Sequence, residues 1–176
     1  MKNFVIFFHL PVSRVLAAAT VIVLSALPLA ARENSSLLYA QGASMAKSGD
    51  IAGATEVFKH VIELSPMFSL GHYGLGKAYL SADGKTDDAI KEFKLAVLCD
   101  KKMSQAHFYL GMAYMFRRDY EWAISEFYAS YLTDKTCIEA LYNIGAIYDL
   151  MGHPYKSLKY YKEYFDAKHR DEDIFQ

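Results

Sequence analysis

A chain of 176 residues that is 53% hydrophobic and 15% aromatic can bury one core and is too apolar to be disordered throughout. Its 19 basic and 20 acidic residues leave a formal charge of −1. The densest basic clusters are only the pairs Lys101-Lys102 and Arg117-Arg118, so the footprint expected of a nucleic-acid binder is missing and no nucleic-acid partner is expected.

Residues 1–31 differ from everything that follows. Lys2 and Arg14 precede an uncharged apolar run from Val15 to Ala31, broken by Pro28 shortly before small residues. A basic start, an apolar centre and a small-residue end fit a secretory signal peptide. Cleavage after Ala31 would place Leu29 where a small residue is preferred, and a run of this length is at the low edge of what spans a bilayer. The expectation is therefore an exported protein, with 1–31 either a cleaved signal or an N-terminal membrane anchor. In the anchored form this segment would be the only membrane contact.

From Ser35 onward the chain reads as helices separated by polar turns. Gly42, Gly76, Gly111 and Gly145 recur at separations of 34, 35 and 34 residues, the period of a helical repeat array. About half a unit further on come Ala54 and Phe58, Ala89 and Phe93, Ala123 and Phe127, and Ser157 and Tyr161. A small residue and a ring four apart share one helix face: the small one admits the paired helix and the ring fills the space beside it. Turns fall at Ser48-Gly49-Asp50, Ala82 to Lys85, Arg118-Asp119 and Gly152-His153-Pro154, with Asp50 and Asp119 as helix caps and Pro154 in a first turn. Pro66 closes the first unit, and the next two close at Lys101 and Lys135.

On Leu110-Gly111, Tyr114, Ala123 and Phe127, and their counterparts Leu75-Gly76, Tyr79, Ala89 and Phe93, the chain resembles the tetratricopeptide repeat family. Unit 1 departs from the pattern at Gln41 and Met45, and unit 4 at Ser157 and Tyr161. The resemblance implies an all-α fold, a right-handed α-solenoid of about four helix-turn-helix repeats over residues 35–168. The units are placed near 35–68, 69–103, 104–137 and 138–171, with a polar tail over 169–176. It also implies that the first helix of each unit lines a concave groove. Cys99 and Cys137 then lie near the ends of second helices in adjacent units. Packed helices sit about 8–10 Å apart whereas a disulfide needs Cα atoms within about 7 Å, so two free thiols are expected.

The third unit's first helix carries a second apolar stripe, Phe108, Met112, Met115 and Phe116, opposite the core stripe His107, Leu110, Gly111 and Tyr114. A helix apolar all round is buried on both sides, so either the superhelix closes over this stripe or a partner does. The register of Phe108 is aromatic in every unit: Tyr39, Tyr73, Phe108, Tyr142. Tyr39, Tyr73, Lys77, Phe108, Met112, Met115, Phe116 and Tyr142 are thus the candidate contacts for a segment of a partner protein, with aromatic anchors and adaptable methionines. One subtype of the family grips chaperone termini with Lys, Asn and Arg. The matching places here hold Tyr39, Ala43, Gly74, Gln105 and Tyr109, so that clamp is not expected.

A second candidate surface is the last helix, where Leu158, Tyr161 and Phe165 lie on an amphipathic face followed by no full capping helix. It offers the alternative of a self-associating, homo-oligomeric structural protein. His72 and His107 share a register but have no third ligand nearby, so neither metal nor cofactor is expected. Asp87-Asp88 reads as a helix start and Asp171-Glu172-Asp173 as a solvated tail. No nucleophile, base and orienting group assemble by spacing, and no phosphate-binding glycine loop is present, so no enzyme is expected. The sequence reads as a non-catalytic adaptor or scaffold for an envelope assembly.

Overall fold

The computed structural model describes residues 34–82 and 84–174, all helix and turn, with no strand among them. The N-terminal segment assigned to export lies outside these residues. A first helix, α1, covers 34–47. It is followed by α2 (Ile51–Leu64), α3 (Ser69–Leu80), α4 (Thr86–Cys99), α5 (Ser104–Phe116), α6 (Tyr120–Thr133), α7 (Glu139–Leu150) and α8 (Pro154–Ile174). Helices pack on their neighbours in chain order, and beyond that α3 touches α5. Packing only within a hairpin and onto the neighbouring hairpin is what a stack of helical hairpins produces.

The hairpins close through a contact repeated four times. A Cβ built on Gly42 would lie 2.8 Å from the Phe58 ring, one on Gly76 2.7 Å from Phe93, one on Gly111 2.9 Å from Phe127, and one on Gly145 2.8 Å from Tyr161. The recurring glycine is therefore the seat of the recurring ring. One turn earlier on the second helix, Ala54, Ala89, Ala123 and Ser157 are buried, as the spacing predicted. Phe58, Phe93 and Phe127 are buried with them, each worth about 1.5–3 kcal/mol of apolar transfer.

Within hairpins the chain turns through a left-handed residue at one register: Gly49 (φ 91°), Gly84 (φ 72°), Arg118 (φ 66°) and Gly152 (φ 73°). Three units use glycine there and the third uses arginine, at a steric cost of about 1–2 kcal/mol. Asp50 caps α2 as expected, its carboxylate accepting from Gly53 N at 2.9 Å. Asp119 holds the cap position of α6 without capping it. Arg117 instead takes that carboxylate, Nε donating to Oδ2 at 2.6 Å, while Nη1 reaches Asp87 at 2.7 Å in the preceding unit. Both pairs are exposed, where ion pairs contribute little.

Between hairpins, Asp100 and Asp134 do the work that proline does after Ser65. Asp100 Oδ1 accepts from Lys102 N at 2.9 Å, and Asp134 Oδ1 accepts from Thr136 N at 2.9 Å and Thr136 Oγ1 at 2.7 Å. Side-chain bonds of this kind give the backbone an alternative to continuing the helix. The Thr136 bonds also hold the Asp134 carboxyl below its ordinary value. Cys99 ends α4, Cys137 lies in the connection from α6 to α7, and both are free thiols.

Through the polar tail expected from residue 169, α8 continues to Ile174. Ala167, buried, marks where the extended helix still packs on the domain. No described helix is long and apolar enough to cross a membrane.

Gly111→Ala should destabilise the chain by about 1–3 kcal/mol in urea denaturation, because the Phe127 ring must leave its seat. Arg118→Gly should stabilise it by about 1 kcal/mol in the same measurement, because the strain of a positive φ disappears.

Candidate functional site

The aromatic register of the first helices builds a ladder of rings along the inner side of the array. Each ring rests on the seated ring of its own hairpin: Tyr39 on Phe58 (centroids 5.7 Å apart), Tyr73 on Phe93 (6.3 Å), Phe108 on Phe127 (5.3 Å) and Tyr142 on Tyr161 (5.2 Å). The ladder differs in what lies beyond. Tyr39 meets Phe68 at 6.4 Å, and Tyr73 meets Tyr109 of the next hairpin at 5.6 Å. Burial pushes both tyrosine hydroxyls above their ordinary value. Lys77 lies over the Tyr73 and Tyr109 rings, its Nζ 5.4 Å and 4.8 Å from their centroids. At these two rungs the fold itself consumes much of the aromatic surface.

At the third rung the ladder opens. The next helix presents Asn143 at the register of Tyr109, and the shorter side chain leaves a cleft between α5 and α7. Phe108, Met112, Glu139, Tyr142, Asn143 and Tyr164 line a cavity of about 350 Å³ there. Three of the expected contacts, Phe108, Met112 and Tyr142, thus come together. Tyr142 is 48% exposed, the most open rung of the ladder.

Not every expected residue belongs to this cleft. Met115, like Phe108 and Met112, packs against the central core cluster, but it does not reach the cleft lining. Phe116, the last residue of α5, is 58% exposed and lies outside the cleft lining. Tyr39, Tyr73 and Lys77 sit at earlier rungs. Glu139, Asn143 and Tyr164 complete the lining and were not among the expected contacts. The signal available was that Tyr109 is the one large residue at a register that holds Ala40, Gly74 and Asn143 in the other units.

Tyr142 also borders a second hollow at the open end of the array. Tyr142, Leu158, Tyr161, Lys162 and Phe165 line about 690 Å³, with Leu158 68% and Phe165 51% exposed. The three residues singled out on the last helix therefore form one surface. Tyr161 donates its hydroxyl to Asp149 Oδ2 at 3.1 Å, which fixes the ring across the α7–α8 hairpin.

His72 and His107 are structural. His72 Nδ1 lies 2.8 Å from Glu92 Oε2 and its Nε2 lies 2.9 Å from the Pro66 carbonyl, while His107 Nδ1 lies 2.7 Å from Glu126 Oε2. Each pair joins the first and second helices of a central hairpin with little solvent access. The outer hairpins place Leu38 with Val57 and Leu141 with Tyr160 at these registers. The hydrogen bond to glutamate raises both imidazole pKa values above 6.5, outweighing the opposing effect of burial.

The last hairpin matches the model of the tetratricopeptide repeat over residues 138–168. The chain folds as a tetratricopeptide-repeat solenoid. It is similar to the crystal structure of MamA at 28% identity, covering 72% of this chain and 74% of that one, with a TM-score of 0.67. Its fold is shared with Pseudomonas aeruginosa pilF at 15% identity and TM-score 0.72, covering 80% of this chain and 64% of that one. It is likewise shared with the first TPR of Spaghetti (RPAP3), solved bound to an HSP90 peptide, at 18% identity and TM-score 0.65, covering 68% and 97%. No curated protein matches the chain. The fold is that of a protein-interaction module of this repeat type.

Because folding raises both histidine pKa values, the pairs stabilise the solenoid fully below pH 6.5, and this contribution is lost as pH rises through the folded-state values. Urea midpoints measured from pH 5.5 to 8.5 should fall over that window, less steeply in His72→Leu/Glu92→Val. His72→Leu alone should cost more than the double change, since it leaves Glu92 facing an apolar neighbour.

Proposed function

We propose that this protein is an exported, non-catalytic adaptor or scaffold for an envelope protein assembly, and that it holds a segment of a partner protein in the cleft between α5 and α7. The observation that carries this reading is the opening of the aromatic ladder at Asn143. Phe108, Met112, Tyr142 and Tyr164 there surround a space sized for one or two apolar side chains, with Glu139 and Asn143 at hand for backbone amides and carbonyls. Half-exposed aromatic rings held by neighbouring rings lose little entropy on binding, which suits them as anchors. The export reading rests on the pattern of residues 1–31 alone.

The cleft can be closed without disturbing the hairpins. Asn143→Tyr restores the residue type found at 109 and fills the space; it should reduce partner capture in cell extracts at least tenfold while leaving the melting temperature within a few degrees. Tyr142→Ala should weaken capture similarly. Unchanged capture by both variants would remove the cleft as the site. Intact mass of the protein recovered from cells would show whether the chain begins after Ala31, and a full-length mass confined to the cytoplasm would contradict export.

A further inference from the structure

The array carries an internal template for what its open end accepts. At each junction between hairpins, the second helix of one unit is covered by the first helix of the next. Ile90, Phe93 and Val97 of α4 are the covered residues at one junction, Ile90 at 4% and Phe93 at 0% exposure. On α8 the same registers hold Leu158, Tyr161 and Phe165, and no described helix covers them. The hollow at this end is thus the continuation of an interface the chain already makes three times.

The covering helices share a pattern. The residue that crosses the preceding second helix is small and buried: Gly71, Ala106 and Ala140. A Cβ on Gly71 would already lie 2.9 Å from Val61 Cγ1 and 3.3 Å from Ile62 Cγ1. Four residues on comes Leu75, Leu110 or Ile144, all buried, and four further Tyr79, Tyr114 or Tyr148. The tyrosine has a partner across the junction: Lys94 Nζ lies 5.6 Å from the centroid of Tyr114. Lys162 occupies the register of Lys94 at the open end.

We infer that the α8 end face docks an α-helix of another protein carrying a small residue, then Leu or Ile four residues later, then Tyr eight residues later, with Lys162 over the tyrosine ring. A second copy of this chain does not supply that helix. Among the described residues, the first helix without a preceding unit is α1, and its matching positions hold Leu37, Gln41 and Met45. Leu37, 72% exposed, would place a branched side chain where the junctions have room for only Gly or Ala, and Gln41 would bury an amide where they bury Leu or Ile.

The probe is the chain's own α7 sequence, Glu139–Leu150, as a synthetic peptide with Asn143→Lys so that a lactam to Glu139 locks the helix. Titrated by fluorescence anisotropy into the full chain, it should bind saturably, at least tenfold more weakly to Leu158→Asp. Leu158 is exposed, so that variant keeps its fold, which circular dichroism checks. A peptide with Ala140→Leu should lose most of the binding. Tyr148→Ala in the peptide should cost severalfold against the native chain and little against Lys162→Met. Absence of binding, or binding indifferent to Leu158→Asp, would overturn the inference. So would a dimer of the free chain at tens of micromolar that Leu158→Asp dissolves, which would make a second copy the occupant.

Discussion

Everything in this molecule depends on the approach of a ring to a glycine inside each hairpin. A first helix can lie against its second helix only where Gly42, Gly76, Gly111 or Gly145 removes a Cβ from the path of Phe58, Phe93, Phe127 or Tyr161. Each contact fixes the crossing of one hairpin, and that crossing fixes where the next aromatic register points. Because the units are joined only to their neighbours, an error at one crossing is passed along the array rather than absorbed by a shared core.

The two central hairpins add a polar clasp to this apolar one. His72–Glu92 and His107–Glu126 tie first to second helices where the outer hairpins use Leu38 with Val57 and Leu141 with Tyr160. A charged, hydrogen-bonded pair with little solvent access tolerates less variation in geometry than an apolar contact, so it sharpens the register of the units flanked on both sides. The features proposed to face partners lie toward the last hairpin, where the ladder opens at Asn143 and no described helix covers α8. Tyr142, resting on both Tyr161 and Tyr164, belongs to both surfaces.

Much of the fold was readable from residue spacing. The glycines, the small residue with its ring four positions on, and Asp50 at a cap all describe contacts within one hairpin, which a period of about 34 residues makes visible. Asp119 was misread because its carboxylate is claimed by Arg117, a competition that spacing does not reveal. The polar stretch after Ala167 does not end the last helix, because helix continuation depends on backbone bonds to the preceding turn. Of the candidate contacts, Phe108, Met112 and Tyr142 meet in one cleft, while Met115 and Phe116 sharing their helix does not bring them there. Periodicity assigns a face; it does not say how deep a neighbour reaches.

The sequence by itself determined the all-α repeat, the hairpin registers and which side chains would be rings, because these follow from short-range periodicity and from the steric demands of glycine and alanine. Only the tertiary structure decided that Tyr73 is covered and Tyr142 is open, that the histidines face glutamates, and that a cleft separates α5 from α7. Those outcomes depend on side chains distant in the chain meeting within a hairpin, as His72 and Glu92 do, or across a junction, as Tyr73 and Tyr109 do. Between the second rung and the third, the difference is the reach of Tyr109 against that of Asn143; at the first, where Gly74 holds that register, Phe68 covers the ring instead.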